Sequence, residues 1–143
     1  MQKVTVPLEL INLNNDGFHL LVEVFVFNQI FNLVLDTGAS KTVFDKSIIE
    51  KHTLIDDLLM SDQQSTGLGT NSMPSYGITL KSLSFGKLTI NDFEAAVLDL
   101  SIISAAYENL NLPHIMGVLG GDILQQYRAV INYDKLSLKF QIS

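Results

Sequence analysis

Hydrophobic and polar residues alternate with a period of two over most of the chain, the signature of strands with one buried face. Val4, Val6, Leu8 and Leu10 alternate with Thr5 and Glu9, which predicts a strand over 4–11. Pro7 inside it favours an edge position, because proline offers no N–H to a ladder. Residues 12–17 predict a turn, and 18–27 and 30–35 predict the arms of a hairpin turning at Asn28-Gln29. Thr42-Val43-Phe44 predicts a short strand, with Asp45 as N-cap of a helix reaching His52. Ile78, Leu80, Leu83 and Phe85, then Leu88, Ile90 and Phe93, then Ala95 and Val97 continue the alternation. Gly86-Lys87 and Asn91-Asp92 are the expected turns between these antiparallel strands. Residues 128–132 and 136–141 predict a last hairpin, joined through Tyr133-Asp134-Lys135.

Twice the period changes to that of a helix. Ile102, Ile103, Ala106 and Leu110 follow Ser101, a candidate cap, and predict a helix packed on the strands. Residues 121–127 predict a short helix with Asp122 in its first turn, where a negative charge is favourable. Between the two strand-rich halves, 61–76 is polar and rich in glycine, the composition of a hairpin tip rather than a core element.

One stretch breaks the pattern in a chemically pointed way. The apolar run Leu33-Val34-Leu35 reads as a buried strand, yet it delivers Asp36 straight into Thr37-Gly38-Ala39-Ser40. A carboxylate at the end of a buried strand is costly unless paired or hydrogen-bonded. Gly38 can bring a backbone N–H to it, and Thr37 offers a hydroxyl for an internal bond. An ordinary Asx turn at a strand end would use the same residues. A second apolar strand end, Val118-Leu119-Gly120, followed by Gly121-Asp122 and a helical pattern, comes about 80 residues later.

Together, in this order and spacing, the two motifs resemble those of single-domain retropepsin-type aspartic proteases, over about Phe18 to Phe140. The resemblance implies an all-β fold: a closed acid-protease barrel over residues 1–143 as one domain, with a flap hairpin and a short C-terminal helix; the helix read from the spacing at 101–110 is extra, since retroviral members have nothing of this size there. It implies Asp36 as the catalytic carboxylate, and Thr37, Gly38, Ala39 and Ser40 as its supporting loop. It places the flap at Gly67, Leu68, Gly69, Thr70 and Asn71, and the second motif at Val118, Leu119 and Gly120. Retroviral members usually carry an acidic residue where this chain has Ser40 and an arginine where it has Gly121, so both partners of that ion pair are absent together. Members of the group hydrolyse peptides with two carboxylates sharing a proton, and this chain carries one such motif. The expected active species is therefore a two-fold homodimer acting on an extended polypeptide.

Other chemistries are weakly supported. Net charge is −6, which leaves no basic footprint for nucleic acid or an anionic membrane surface. There is no cysteine, so disulfides and thiolate chemistry are absent. His19, His52 and His114 share no ligand spacing, and Asn12, Asn14, Asp16, Gly17 and Glu23 match a calcium loop only in spacing, because their flanks are β-patterned. No metal or other cofactor is expected. Gly67-Leu68-Gly69 lacks the third glycine or lysine of a nucleotide loop. No apolar run approaches the length of about 18 residues of a membrane span, and the start lacks a secretory core, so the default expectation is a soluble, cytoplasmic chain. The rival readings are a catalytically inactive dimeric peptide-binding module with the same fold, and an unrelated all-β protein in which Asp36-Thr37-Gly38 is only a turn.

Overall fold

The structure is a computed structural model and describes residues 2–53, 59–61 and 75–142. The strands are β1 (Gln2–Asn12), β2 (Phe18–Val26), β3 (Gln29–Leu35), β4 (Val43–Asp45), β5 (Leu59–Ser61), β6 (Ser75–Phe85), β7 (Leu88–Leu98), β8 (Gly117–Leu119), β9 (Val130–Asn132) and β10 (Ser137–Ile142). The helices are α1 (Lys46–His52), α2 (Ser101–Asn109) and α3 (Gly121–Gln126).

Neighbour follows neighbour in the order β6, β7, β4, β8, β3, β2, and a further pairing of β2 with β6 closes the ring. The result is a six-stranded barrel, shut at the bridge between Phe25 and Ser84. Its core holds Val24, Leu33, Phe44, Phe85, Val97 and Leu119, with Phe140 of β10 packed in the same cluster, all of them fully buried. Outside the ring, β10 lies between β1 and β9.

Alternation along β3 and β8 explains why their sequences read as continuous apolar runs. Leu33 and Leu119 point into the barrel, whereas Val34 and Val118 point out into a second cluster with Ile11, Leu21, Ala39, Tyr107 and Ile115. That outer face is covered by α2, through Tyr107 and Ile103, so both faces of the central strands are dry.

Several expectations are met in a changed form. The hairpin between β2 and β3 turns at Phe27-Asn28, not Asn28-Gln29: both residues have positive φ (55° and 60°), the type I′ geometry that suits a twisted hairpin. Asn91-Asp92 is not a turn. β7 runs through it in one register with β6, from Tyr76 opposite Val97 to Phe85 opposite Leu88, and Asp92 takes up a left-handed φ of 51° within the strand. Turn-forming composition loses here to the rungs on either side. Pro7 sits where β1 changes partner, the residues up to it pairing with β10 and those from Leu8 on with β2. Each half of β1 has one ladder neighbour, which is how a proline is accommodated in it.

The helix starts also differ. Asp45 is the N-cap residue of α1, as expected, but makes no side-chain cap bond; its buried carboxylate accepts the Leu100 N–H (3.0 Å) and the Ser47 hydroxyl (2.7 Å) instead. Leu100, not Ser101, is the N-cap of α2, and Asp99 accepts the Ser101 N–H at 2.9 Å. The Ser101 amide and hydroxyl hold the Asp99 carboxyl below the usual carboxylate range. Of the predicted apolar face of α2, Ile103 packs inward, but Ile102 is 81% exposed and the inner face is completed by Tyr107. The proposed flap residues, 67–71, lie outside the described residues. β5 and β6 pair antiparallel from Leu59 opposite Gly77 to Ser61 opposite Ser75.

Candidate active site

Parallel pairing of β3 with β8 brings the two motifs side by side, although about 80 residues separate them in sequence. Leu33 lies opposite Gly117, Val34 opposite Val118 and Leu35 opposite Leu119, and the Asp36 N–H extends the ladder to the Leu119 carbonyl at 3.0 Å. β8 fits between β3 and β4 because glycine stands at both of its ends. A Cβ on Gly117 would lie 2.0 Å from the Val43 carbonyl oxygen, and one on Gly120 would lie 2.5 Å from that of Lys41. Backbones this close leave no room for a side chain.

Asp36 is half-buried and begins a tight loop. The Gly38 N–H donates to its Oδ1 at 2.8 Å and the Ala39 N–H to its main-chain carbonyl at 3.2 Å. The expected hold of Gly38 on the carboxylate is therefore present. Thr37 is exposed, and its hydroxyl makes no hydrogen bond within the chain among the described residues, so the expected internal bond is absent. Ala39 is buried, its methyl group in the outer cluster with Tyr107 and Val118, and its carbonyl accepts the Gly121 N–H at 2.7 Å. Ser40 is exposed. Val118, Leu119 and Gly120 are all buried.

Two further residues, Thr42 at the end of this loop and Asp122 in α3, hold it in place. Thr42, fully buried, donates its hydroxyl to Asp122 Oδ1 (2.8 Å) and accepts the Gly120 N–H on the same oxygen (3.1 Å). The Thr42 N–H also donates to Asp122 Oδ1, at 2.9 Å, and so does the Ile123 N–H, at 2.9 Å. Asp122 is thus no simple helix cap, since three donors from two parts of the chain converge on one of its oxygens. The sequence carried one usable sign, a threonine at a strand start with a carboxylate just after the second motif.

The chemistry this allows is that of a single presented carboxylate. Asp36 has one oxygen steadied by a backbone amide, beside exposed Thr37 and Gly38. Asp122, the other carboxylate near the loop and likewise half-buried, is committed to Thr42. Among the described residues no three His, Cys, Asp or Glu side chains are grouped so as to hold a metal ion. No described helix is long and apolar enough to cross a membrane.

The sequence profile of the aspartyl protease family matches residues 22–123, a span that contains both motifs. The chain belongs to the aspartyl protease family. No curated protein matches it in sequence. Among solved structures, this aspartyl protease-family chain is similar to a retropepsin-like aspartic protease from Rickettsia conorii, with 22% identity, a TM-score of 0.59 and coverage of 97% of this chain and 90% of that one. It is also similar to the retroviral protease-like domain of Ddi1 from Leishmania major (15%, TM-score 0.53, coverage 80% and 81%). A third likeness is to the EIAV protease complexed with the inhibitor HBY-793 (18%, TM-score 0.52, coverage 85% and 99%). These likenesses show the fold: the barrel is retropepsin-like.

Proposed function

We propose that the chain is an aspartic endopeptidase that works as a homodimer, with Asp36 from each of two copies forming one site across a two-fold axis. One observation carries the reading. Of the two carboxylates at the paired motifs, Asp122 is committed to Thr42, which leaves Asp36, so one copy supplies half of an acid–base pair. Two-fold assembly supplies the other half with the same residue in the same setting.

In the assembled site the two carboxylates share one proton, because like charges at that distance cannot both ionise cheaply. The ionised carboxylate takes a proton from a water held between the two, and the water oxygen attacks the scissile carbonyl carbon. The protonated carboxyl donates to the carbonyl oxygen, giving a neutral tetrahedral diol. Collapse returns the carbonyl, breaks the C–N bond and passes a proton to the departing amine. The Gly38 amide steadies Oδ1 throughout, and the Thr37 hydroxyl, exposed in each copy, bonds to the loop of the other. The substrate is an extended polypeptide.

The test is cleavage of an apolar-rich fluorogenic peptide together with light scattering. Expected are a dimer, a specific activity that falls on dilution through its dissociation, inhibition by a statine-type transition-state mimic and no effect of EDTA. A monomer that cleaves under the assay conditions would overturn the shared site, and activity lost to EDTA and restored by zinc would overturn the acid–base mechanism.

A further inference from the structure

We infer that Thr42 and Asp122 are positioning residues for the Asp36 carboxylate; this rests on the protease reading above. The loop from Asp36 to Thr42 is held at its ends by strands, since Asp36 continues the β3–β8 ladder and Val43 begins β4. In between it exposes Thr37, Gly38, Ser40 and Lys41. Three consecutive residues at the start of α3 grip it. Gly120 donates to the Thr42 hydroxyl, Gly121 donates to the Ala39 carbonyl, and Asp122 accepts from both the amide and the hydroxyl of Thr42.

The Thr42 hydroxyl is the directional part of this grip. It gives its one proton to Asp122 and receives one from Gly120, so both neighbours must stand at fixed angles to it. Thr42 is fully buried, so water cannot substitute for either partner. The two glycines can bond only through their backbone, and Asp122 is the side chain that completes the set. Together they fix the distance from the second motif to the catalytic loop.

Symmetry makes that distance matter. The two Asp36 groups have to meet at hydrogen-bond range, and any shift of one loop across the axis is repeated by its twin. A displacement in one copy therefore changes the separation of the pair by up to twice as much. A misplacement on the order of 1 Å costs on the order of a hundredfold in rate.

The experiment compares the parent with Asp122→Ala and Thr42→Val, which remove the hydroxyl–carboxylate bond, and with Asp122→Asn and Thr42→Ser, which keep an oxygen in place. Steady-state peptide cleavage, thermal midpoints, light scattering and amide exchange at Gly38 and Ala39 are measured on each. The removal variants are expected to lower kcat by about ten- to a hundredfold with KM within about threefold of the parent, and to speed exchange at Gly38 and Ala39. The conservative variants are expected to restore kcat to within about threefold. Should Asp122→Ala not fold, Thr42→Val, which keeps the side-chain volume, carries the same expectation. Unchanged kcat in a folded removal variant overturns the inference. So does an equal defect in Asp122→Asn, or a loss that appears as a rise in KM or as dissociation of the dimer. A parent chain that cleaves nothing overturns the protease reading instead, and exchange at Gly38 and Ala39 then decides the inference by itself.

Discussion

Gly117 and Val43 approach so closely that a Cβ on Gly117 would lie 2.0 Å from the Val43 carbonyl oxygen and 3.0 Å from the Phe44 Cα. Both obstacles are backbone, so neither can rotate away. Gly117→Ala must push β8 off β4, and with it the strand on which Leu119 receives the Asp36 amide. The expected cost is about 3 kcal/mol, at the upper end for overpacking, read as a lower urea midpoint with unchanged slope. Gly17→Ala is the comparison. Nothing lies within 4 Å of its missing Cβ, so its cost comes only from the positive φ of 103° and stays near 1 kcal/mol.

Asp36→Asn keeps an oxygen for the Gly38 amide and removes the exchangeable proton. Cleavage should fall by about a thousandfold or more, the scale of lost acid–base catalysis. If the proposed dimer forms, the variant at neutral pH should be as stable as the parent or more so, because two carboxylates would no longer face each other across its axis. Peptide cleavage and thermal midpoints of both proteins check this, and a clearly less stable Asn variant would mark Asp36 as a structural turn residue.

Burial pushes the Tyr107 phenol up to about 12 from its usual 10.0. Below pH 10 the folded and unfolded chains both hold this proton, and the group adds no pH dependence. Between about 10 and 12 the unfolded chain releases it while the folded chain keeps it, so stability falls by up to about 3 kcal/mol and levels off above. Tyr107→Phe should remove that part of the alkaline loss. At neutral pH it should cost about 1 kcal/mol, since the 2.6 Å bond between the Tyr107 hydroxyl and His19 Nδ1 goes with it. Urea titrations of both proteins from pH 8 to 12 give the difference directly.

Asp45 joins the start of α1 to the start of α2 by accepting the Leu100 N–H and the Ser47 hydroxyl. Asp45→Ala should leave the Leu100 amide buried and unpaired and cost about 2 kcal/mol. Ser47→Ala, which spares that amide, should cost less than half as much. The order of the two urea midpoints decides the assignment.

Much of the barrel was legible because its longer strands, β2, β6 and β7, are half-buried and largely keep a period of two. The exceptions have local causes. Asn91-Asp92 has the composition of a turn, but a run of paired residues on either side of it outweighs one left-handed residue. Ile102 fits the apolar period of α2, yet Tyr107 claims the inner face because its hydroxyl finds His19 as well as a dry cluster for its ring. Asp36 could be picked out because an apolar strand ending in a carboxylate violates a simple expectation. Thr42 and Asp122 could not be paired from sequence. Each has a plausible local role, at a strand start and in a first helical turn, and their bond exists only because β8 slides between β3 and β4.

The change of partner at Pro7 joins β1 to β10, with Gln2 opposite Ile142 and Pro7 opposite Ser137. During synthesis, residues 2–7 therefore wait until residues 137–142 have been made before their ladder can form. Such long-range pairing slows folding, since a large loop must close before any rung rewards it. Until β10 leaves the ribosome, the first half of β1 offers an open backbone edge with Val4 and Val6 uncovered, a strand available to any other chain that reaches it first.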